Sequence, residues 1–92
     1  MEIEFSQSAV KDLVRLREFI ATNNPEAAKR VALRIREAIA TLALYPAKGR
    51  IVPELPEVRE LIAGNYVVRY LIDPERSTIY ILRIWHGREY RQ

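Results

Sequence analysis

The chain predicts an α+β domain, a two-helix antiparallel hairpin packed on a small antiparallel β-sheet, in the order β-α-α-β-β-β. Three observations carry that reading. Apolar residues recur at helical spacing through the first half. The last third interleaves apolar with basic and aromatic residues in three strand-like runs. Turn-forming residues separate these segments from one another. Ninety-two residues hold one hydrophobic core, so residues 1–92 read as a single domain.

Glu2 to Phe5 alternates polar and apolar, with Ile3 and Phe5 on one face, and reads as a short strand. Ser6 suits a helix N-cap, because its hydroxyl accepts from an otherwise unpaired amide of the first turn. Ala9, Leu13, Leu16 and Ile20 then form one helical stripe that ends near Thr22-Asn23-Asn24. Asn24-Pro25-Glu26 starts a second helix, with a cap, a proline at the first helical position and an acidic residue near the positive end of the dipole. Its stripe runs through Ala28, Val31, Ile35, Ile39 and Leu42 to Tyr45, where Pro46 closes it. The short link between the helices predicts a hairpin. Lys29, Arg30, Arg34 and Arg36 fall mostly off the stripe and read as a solvated face.

Gly49, Pro53 and Pro56 mark residues 47–56 as a loop, with Lys48 and Arg50 flanking its glycine. Three strands follow, around Arg59–Ile62, Tyr66–Tyr70 and Ile81–Arg88. Gly64-Asn65 forms the first turn between them and Asp73-Pro74 to Ser77 the second. Simple alternation puts Ile79, Ile81, Arg83 and Trp85 on one face of the last strand and Tyr80, Leu82, Ile84 and His86 on the other. Both faces are apolar enough to be the buried one. An apolar face left open in so small a protein points to a partner.

Composition excludes several function classes. Apolar residues make up 49% and charged residues 29%, as in ordinary soluble domains. No run approaches the length of a membrane span, so no membrane association is expected. Without cysteine, and with one histidine, neither a disulfide framework nor a structural zinc site is expected, and no cofactor is implied. A reducing, cytoplasmic setting follows. The net charge of +3 is spread over both halves and lacks the dense basic stripe typical of direct DNA binding.

The candidate functional residues gather at the C-terminal end. Histidine is the side chain that ordinarily titrates near neutrality, so His86 is a candidate acid or base. Arg88 has the fork that clamps a phosphate, and Tyr90 could stack on a base or pass a proton. This trio would suit a metal-independent ribonuclease; a strand-terminating histidine with no catalytic role explains the same residues. Lys48, Arg50, Arg59 and Arg69, with Arg83, could form a basic surface, or pair across the sheet with Glu57, Glu60 or Asp73.

Taken together, Ser8-Ala9 and Asp12-Leu13, then Tyr45-Pro46 and Gly49-Arg50, then Arg59-Glu60-Leu61, Tyr66-Val67-Val68-Arg69-Tyr70 and Ile81-Leu82-Arg83-Ile84-Trp85-His86-Gly87-Arg88 resemble the ParE/RelE superfamily of toxins from bacterial type II toxin–antitoxin pairs. The resemblance spans essentially the whole chain and implies the same fold. RelE-like members are ribosome-dependent mRNA endonucleases, whereas ParE-like members poison DNA gyrase by binding and serve plasmid stabilisation. Nuclease members tend to carry cations where this chain has Val58, Glu60 and Val67. The resemblance therefore implies a ParE-like gyrase inhibitor, with Arg83, His86, Arg88 and Tyr90 as target-contact residues. The ribosome and its mRNA are the alternative target, with His86, Arg88 and Tyr90 then catalytic; a non-toxic member that only binds antitoxin is a third reading. In each case the partner is a cognate, ParD-like antitoxin, through which any contact with DNA would be indirect.

Overall fold

In a computed structural model, residues 1–89 are described. The chain forms β1 (Glu2–Phe5), α1 (Gln7–Asn23), α2 (Pro25–Ala40), β2 (Arg50–Val52), β3 (Leu55–Ala63), β4 (Tyr66–Asp73) and β5 (Thr78–His86). Two short 3-10 turns, Thr41–Ala43 and Pro46–Lys48, lie between α2 and β2. The strands make one five-stranded sheet in the order β1-β5-β4-β3-β2. All neighbours are antiparallel except β1, which returns alongside β5 in parallel.

Both helix starts follow their capping residues. Ser6 Oγ accepts from Ala9 N at 3.0 Å, and Asn24 Oδ1 accepts from Ala27 N at 3.1 Å. Asn24 serves twice, ending α1 through its own amide and opening α2 through its side chain. The second helix stops at Ala40, and the rest of its expected stripe is taken up by the 3-10 turn that buries Leu42.

The core lies between the helical hairpin and one sheet face. Ala9 and Leu16 of α1 and Ile35 and Ile39 of α2 pack with Leu61, Val68, Tyr70, Ile79, Ile81 and Ile84. That set corrects the simple alternation along β5. Arg69 pairs with Arg83, but its neighbour Tyr70 pairs with Ile81, so Leu82 is an extra residue in a β-bulge. One inserted residue exchanges the faces beyond it. Ile84 and His86 therefore share the helix side with Ile79 and Ile81, while Arg83 and Trp85 join Tyr80 on the open side.

The segment expected to be wholly loop contains β2. Arg50 and Ile51 pair with Glu60 and Arg59, and an irregularity follows before Val52. Tyr70 anchors the approach to this strand: its buried hydroxyl donates to Pro46 O at 2.6 Å and accepts from Gly49 N at 2.8 Å. Burial pushes the Tyr70 phenol up, against the lowering effects of the Gly49 hydrogen bond and of Arg59. No helix among the described residues is long and apolar enough to cross a membrane.

Candidate target-contact site

The site begins where a strand edge is left bare. Strand β1 covers β5 only from Thr78 to Ile81. Beyond Ile81 the outer edge of β5 has no neighbouring strand, and its polar groups need other partners. Side chains provide them. Ser6 Oγ donates to Leu82 O at 2.9 Å, and Asp12 Oδ2 accepts from Ile84 N at 2.8 Å. Arg15 Nη2 reaches Ile84 O at 3.4 Å, and Glu89 Oε1 accepts from His86 N at 2.9 Å. The first turns of α1 thus stand in for a missing strand and hold the end of β5 in place.

Asp12 is the centre of this arrangement. It is 4% exposed, yet it receives Arg83 Nε at 2.8 Å, Arg83 Nη2 at 3.2 Å and Arg15 Nη2 at 3.3 Å as well as the Ile84 amide. Burial alone would raise its pKa, but the hydrogen bonds from Arg83, Ile84 and Arg15 outweigh burial and hold the carboxyl below its ordinary value. Arg83 is correspondingly raised by its bond to Asp12. Arg15 also pairs with Glu89, tying α1 to the turn that follows β5.

Across the open face runs a second set of pairs. Glu60, 3% exposed, accepts from Arg69 Nε at 3.0 Å and Nη2 at 2.8 Å, and from Arg50 Nη2 at 3.3 Å. Two guanidinium groups, those of Arg69 and Arg83, each lie over the Trp85 ring, 5.2 Å from its centre. The suggested basic surface of Lys48, Arg50, Arg59 and Arg69 is thus largely engaged. Arg50 and Arg69 share the Glu60 carboxylate, and Arg59 Nη1 donates to the Gly49 and Ala47 carbonyls at 2.8 and 3.3 Å. Lys48 Nζ donates to Thr41 Oγ1 at 3.1 Å. The partner of Arg69 is the Glu60 named among the options; that of Arg83 is Asp12, on α1.

His86 and Arg88 border a groove of about 870 Å³ at the end of the molecule. Leu16, Phe19 and Ile20 of α1 form one wall; Ile62, Gly64 and Tyr66 at the β3–β4 turn form the other. Phe19 and Ile62 are 69% and 52% exposed, so the groove offers apolar surface to a partner. The imidazole stands edge-on to Tyr66 with ring centres 5.2 Å apart. Its Nδ1 accepts from Arg88 N at 3.0 Å, which leaves Nε2 as the nitrogen for an outside partner. Gly87 N donates to Asn65 O at 2.7 Å, fastening the β5 terminus to the β3–β4 turn. Burial raises the Tyr66 phenol, and Glu89 adds to that. The Arg88 guanidinium is exposed and has no ion-pair partner among the described residues.

The structure therefore brings His86 and Arg88 together and sets Arg83 apart, bound to Asp12 on the edge of β5. Tyr90 lies outside the described residues. No group of three or more side chains able to hold a metal ion occurs among the described residues. The buried Asp12 is the main addition to the site residues read from the sequence, where Glu60 already stood as a pairing option. Asp12 did carry a signal: it falls three residues after Ala9 and four before Leu16, on the buried stripe of α1.

A family model described as the ParE toxin of the type II toxin–antitoxin system parDE matches residues 3–90. Two toxins of Caulobacter vibrioides are similar over nearly their whole length. RelE2 is 35% identical over 87 residues, covering 94% of each chain. RelE1 is 33% identical over 90 residues, covering 94% of this chain and 92% of the relative. Among solved structures, the RelBE2 toxin–antitoxin complex of Mycobacterium tuberculosis contains a chain 28% identical, with TM-score 0.69 over 92% of this chain and 95% of that one. The chromosomal ParDE system of P. aeruginosa shares the fold at TM-score 0.77 and 24% identity, over 94% of this chain and 95% of that one. The paired buried carboxylates and the exposed His86–Arg88 end are thus set in a known scaffold, and the chain belongs to the ParE toxin family of type II toxin–antitoxin systems.

Proposed function

We propose that this toxin inhibits DNA gyrase by binding it in the bacterial cytoplasm, using the groove end with His86 and Arg88, and that a cognate, ParD-like antitoxin neutralises it. The observation that carries this reading is the Glu60 pairing. Cleaving RNA by a metal-independent route needs cations available to a phosphate. On the open sheet face, Arg50 and Arg69 instead converge on a carboxylate that is itself buried. Val58 and Val67, on that same face, add no charge. A binding inhibitor has no such requirement, and an apolar groove beside an exposed arginine is the usual composition of a protein contact. The antitoxin reading is supported by structural relatives that are toxin–antitoxin complexes.

A second reading, ribosome-dependent mRNA cleavage, is favoured by one observation. His86 and Arg88 are adjacent at the groove, and the Nδ1 contact orients the imidazole with Nε2 left over. The two readings divide on whether the wild-type toxin cleaves translated mRNA, and Arg88→Ala, expressed without antitoxin, tests the contact itself. The gyrase reading expects growth inhibition to fall at least about tenfold, on the scale of losing a central interface arginine. Circular dichroism should be unchanged, and primer extension on translated messages should show no cleavage with the wild-type toxin. Undiminished inhibition by the folded variant removes Arg88 from the contact. Cleavage of translated mRNA by the wild type replaces the gyrase reading with the second one.

A further inference from the structure

The outer face of α1, turned away from the core, carries an apolar strip that the site above does not use. Val10 and Val14 are 49% and 42% exposed and lie one helical turn apart. Lys11 and Glu18 stand beside them along a shallow depression of about 480 Å³ that continues to Thr22. Both charged side chains are exposed and neither has an ion pair among the described residues. They are seven residues apart, two turns on one face, so they sit about 5 Å to either side of a midpoint near Val14. That arrangement is self-complementary. A second α1 laid antiparallel across a two-fold axis at the midpoint sets each Lys11 opposite Glu18 of the other copy and brings the two Val14 side chains together. Arg15, also near the axis, does not oppose the pairing, because Asp12 and Glu89 draw it toward β5.

We propose that this face is a self-association surface on which a second copy of the chain packs, antiparallel, through Val10, Val14, Lys11 and Glu18. A two-fold contact of this kind is isologous: each residue meets the counterpart of its own partner. The charges set the register and the valines provide the apolar burial. With two exposed ion pairs and a narrow apolar strip, the dimer is weak and loosens as salt screens the pairs.

The test is sedimentation equilibrium of the full chain, freed of antitoxin, at low and high salt. Wild type should show a monomer–dimer equilibrium that shifts toward monomer with salt. Lys11→Glu and Glu18→Lys should each weaken the dimer at least about tenfold, since each turns two attractions into two repulsions. An equimolar mixture of the two variants should recover dimer at wild-type strength, because unlike chains restore both pairs. Recovery by mixing also separates lost pairing from lost folding. A wild type that stays monomeric at millimolar concentration overturns the proposal, as does a dimer indifferent to both substitutions or a mixture that does not associate. Variants that leave a monomeric wild type unaffected yet weaken an antitoxin complex would assign the face to the antitoxin instead.

Discussion

Asp12→Ala is expected to destabilise the fold by about 3 kcal/mol, the range seen when one member of a buried, hydrogen-bonded charge set is removed. The substitution does more than break an ion pair. It removes the acceptor from the Ile84 amide at an edge with no neighbouring strand, and it deprives Arg83 of β5 and Arg15 of α1 of their shared carboxylate together. Because Arg83 is 43% exposed, water recovers part of its solvation, which keeps the loss below that of a fully buried pair. For a domain of this size the expected drop in Tm is about 15 °C. Asp12→Asn keeps an oxygen for Ile84 and should lose roughly half as much. Urea unfolding followed by circular dichroism checks both; a loss under about 1 kcal/mol for Asp12→Ala would contradict the edge-capping role.

The same carboxylate fixes a pH dependence. Its folded-state pKa lies below the ordinary value of 3.8, so between the two values the unfolded chain binds more protons than the folded one. Stability from Asp12 is thus complete above the ordinary value and disappears as pH falls through the lower, folded value. Wild type should lose this component on acidification, and Asp12→Asn should lack it.

Gly49→Ala should cost about 3 kcal/mol, although the glycine adopts an ordinary backbone conformation with φ −74° and ψ 161°. Space, not torsion, is the constraint. A Cβ at this position would lie 2.7 Å from the Tyr70 hydroxyl, 2.8 Å from the Tyr70 ring and 2.8 Å from the Glu60 carbonyl oxygen. The hydroxyl cannot withdraw without giving up its bonds to Pro46 and Gly49, and Tyr70 is fully buried. Relief must come from β2 moving off β3, which disturbs the Arg50–Glu60 pair as well. Since the Glu60 contact is backbone, adding Tyr70→Phe to Gly49→Ala should not restore stability. Denaturant midpoints of the single and double variants give the answer; a Gly49→Ala protein as stable as wild type would contradict the close packing.

Sequence reading succeeded where the determinants are local. Ser6 and Asn24 act on amides three residues away, so both helix starts were legible without tertiary information. Strands β3 to β5 were legible through their turns. Strand β2 was not, because three residues between Gly49 and Pro53 carry no period and gain their structure by pairing with Arg59 and Glu60. Alternation misplaced the end of β5 because the bulge at Leu82 leaves no mark in the residue types. The partner of Asp12 was equally hidden: Arg83 is 71 positions away, and only folding brings the two together. His86 and Arg88 were singled out by residue chemistry alone, whereas the groove beside them depends on α1 meeting the β3–β4 turn.

Gyrase inhibition is best tested by adding the purified toxin, freed of antitoxin, to a gyrase supercoiling reaction on relaxed plasmid. The expected result is loss of supercoiling with accumulation of cleaved plasmid, reversed by antitoxin and weakened by Arg88→Ala. Normal supercoiling at several-fold molar excess of folded toxin over gyrase would contradict the account and direct attention to mRNA on the ribosome.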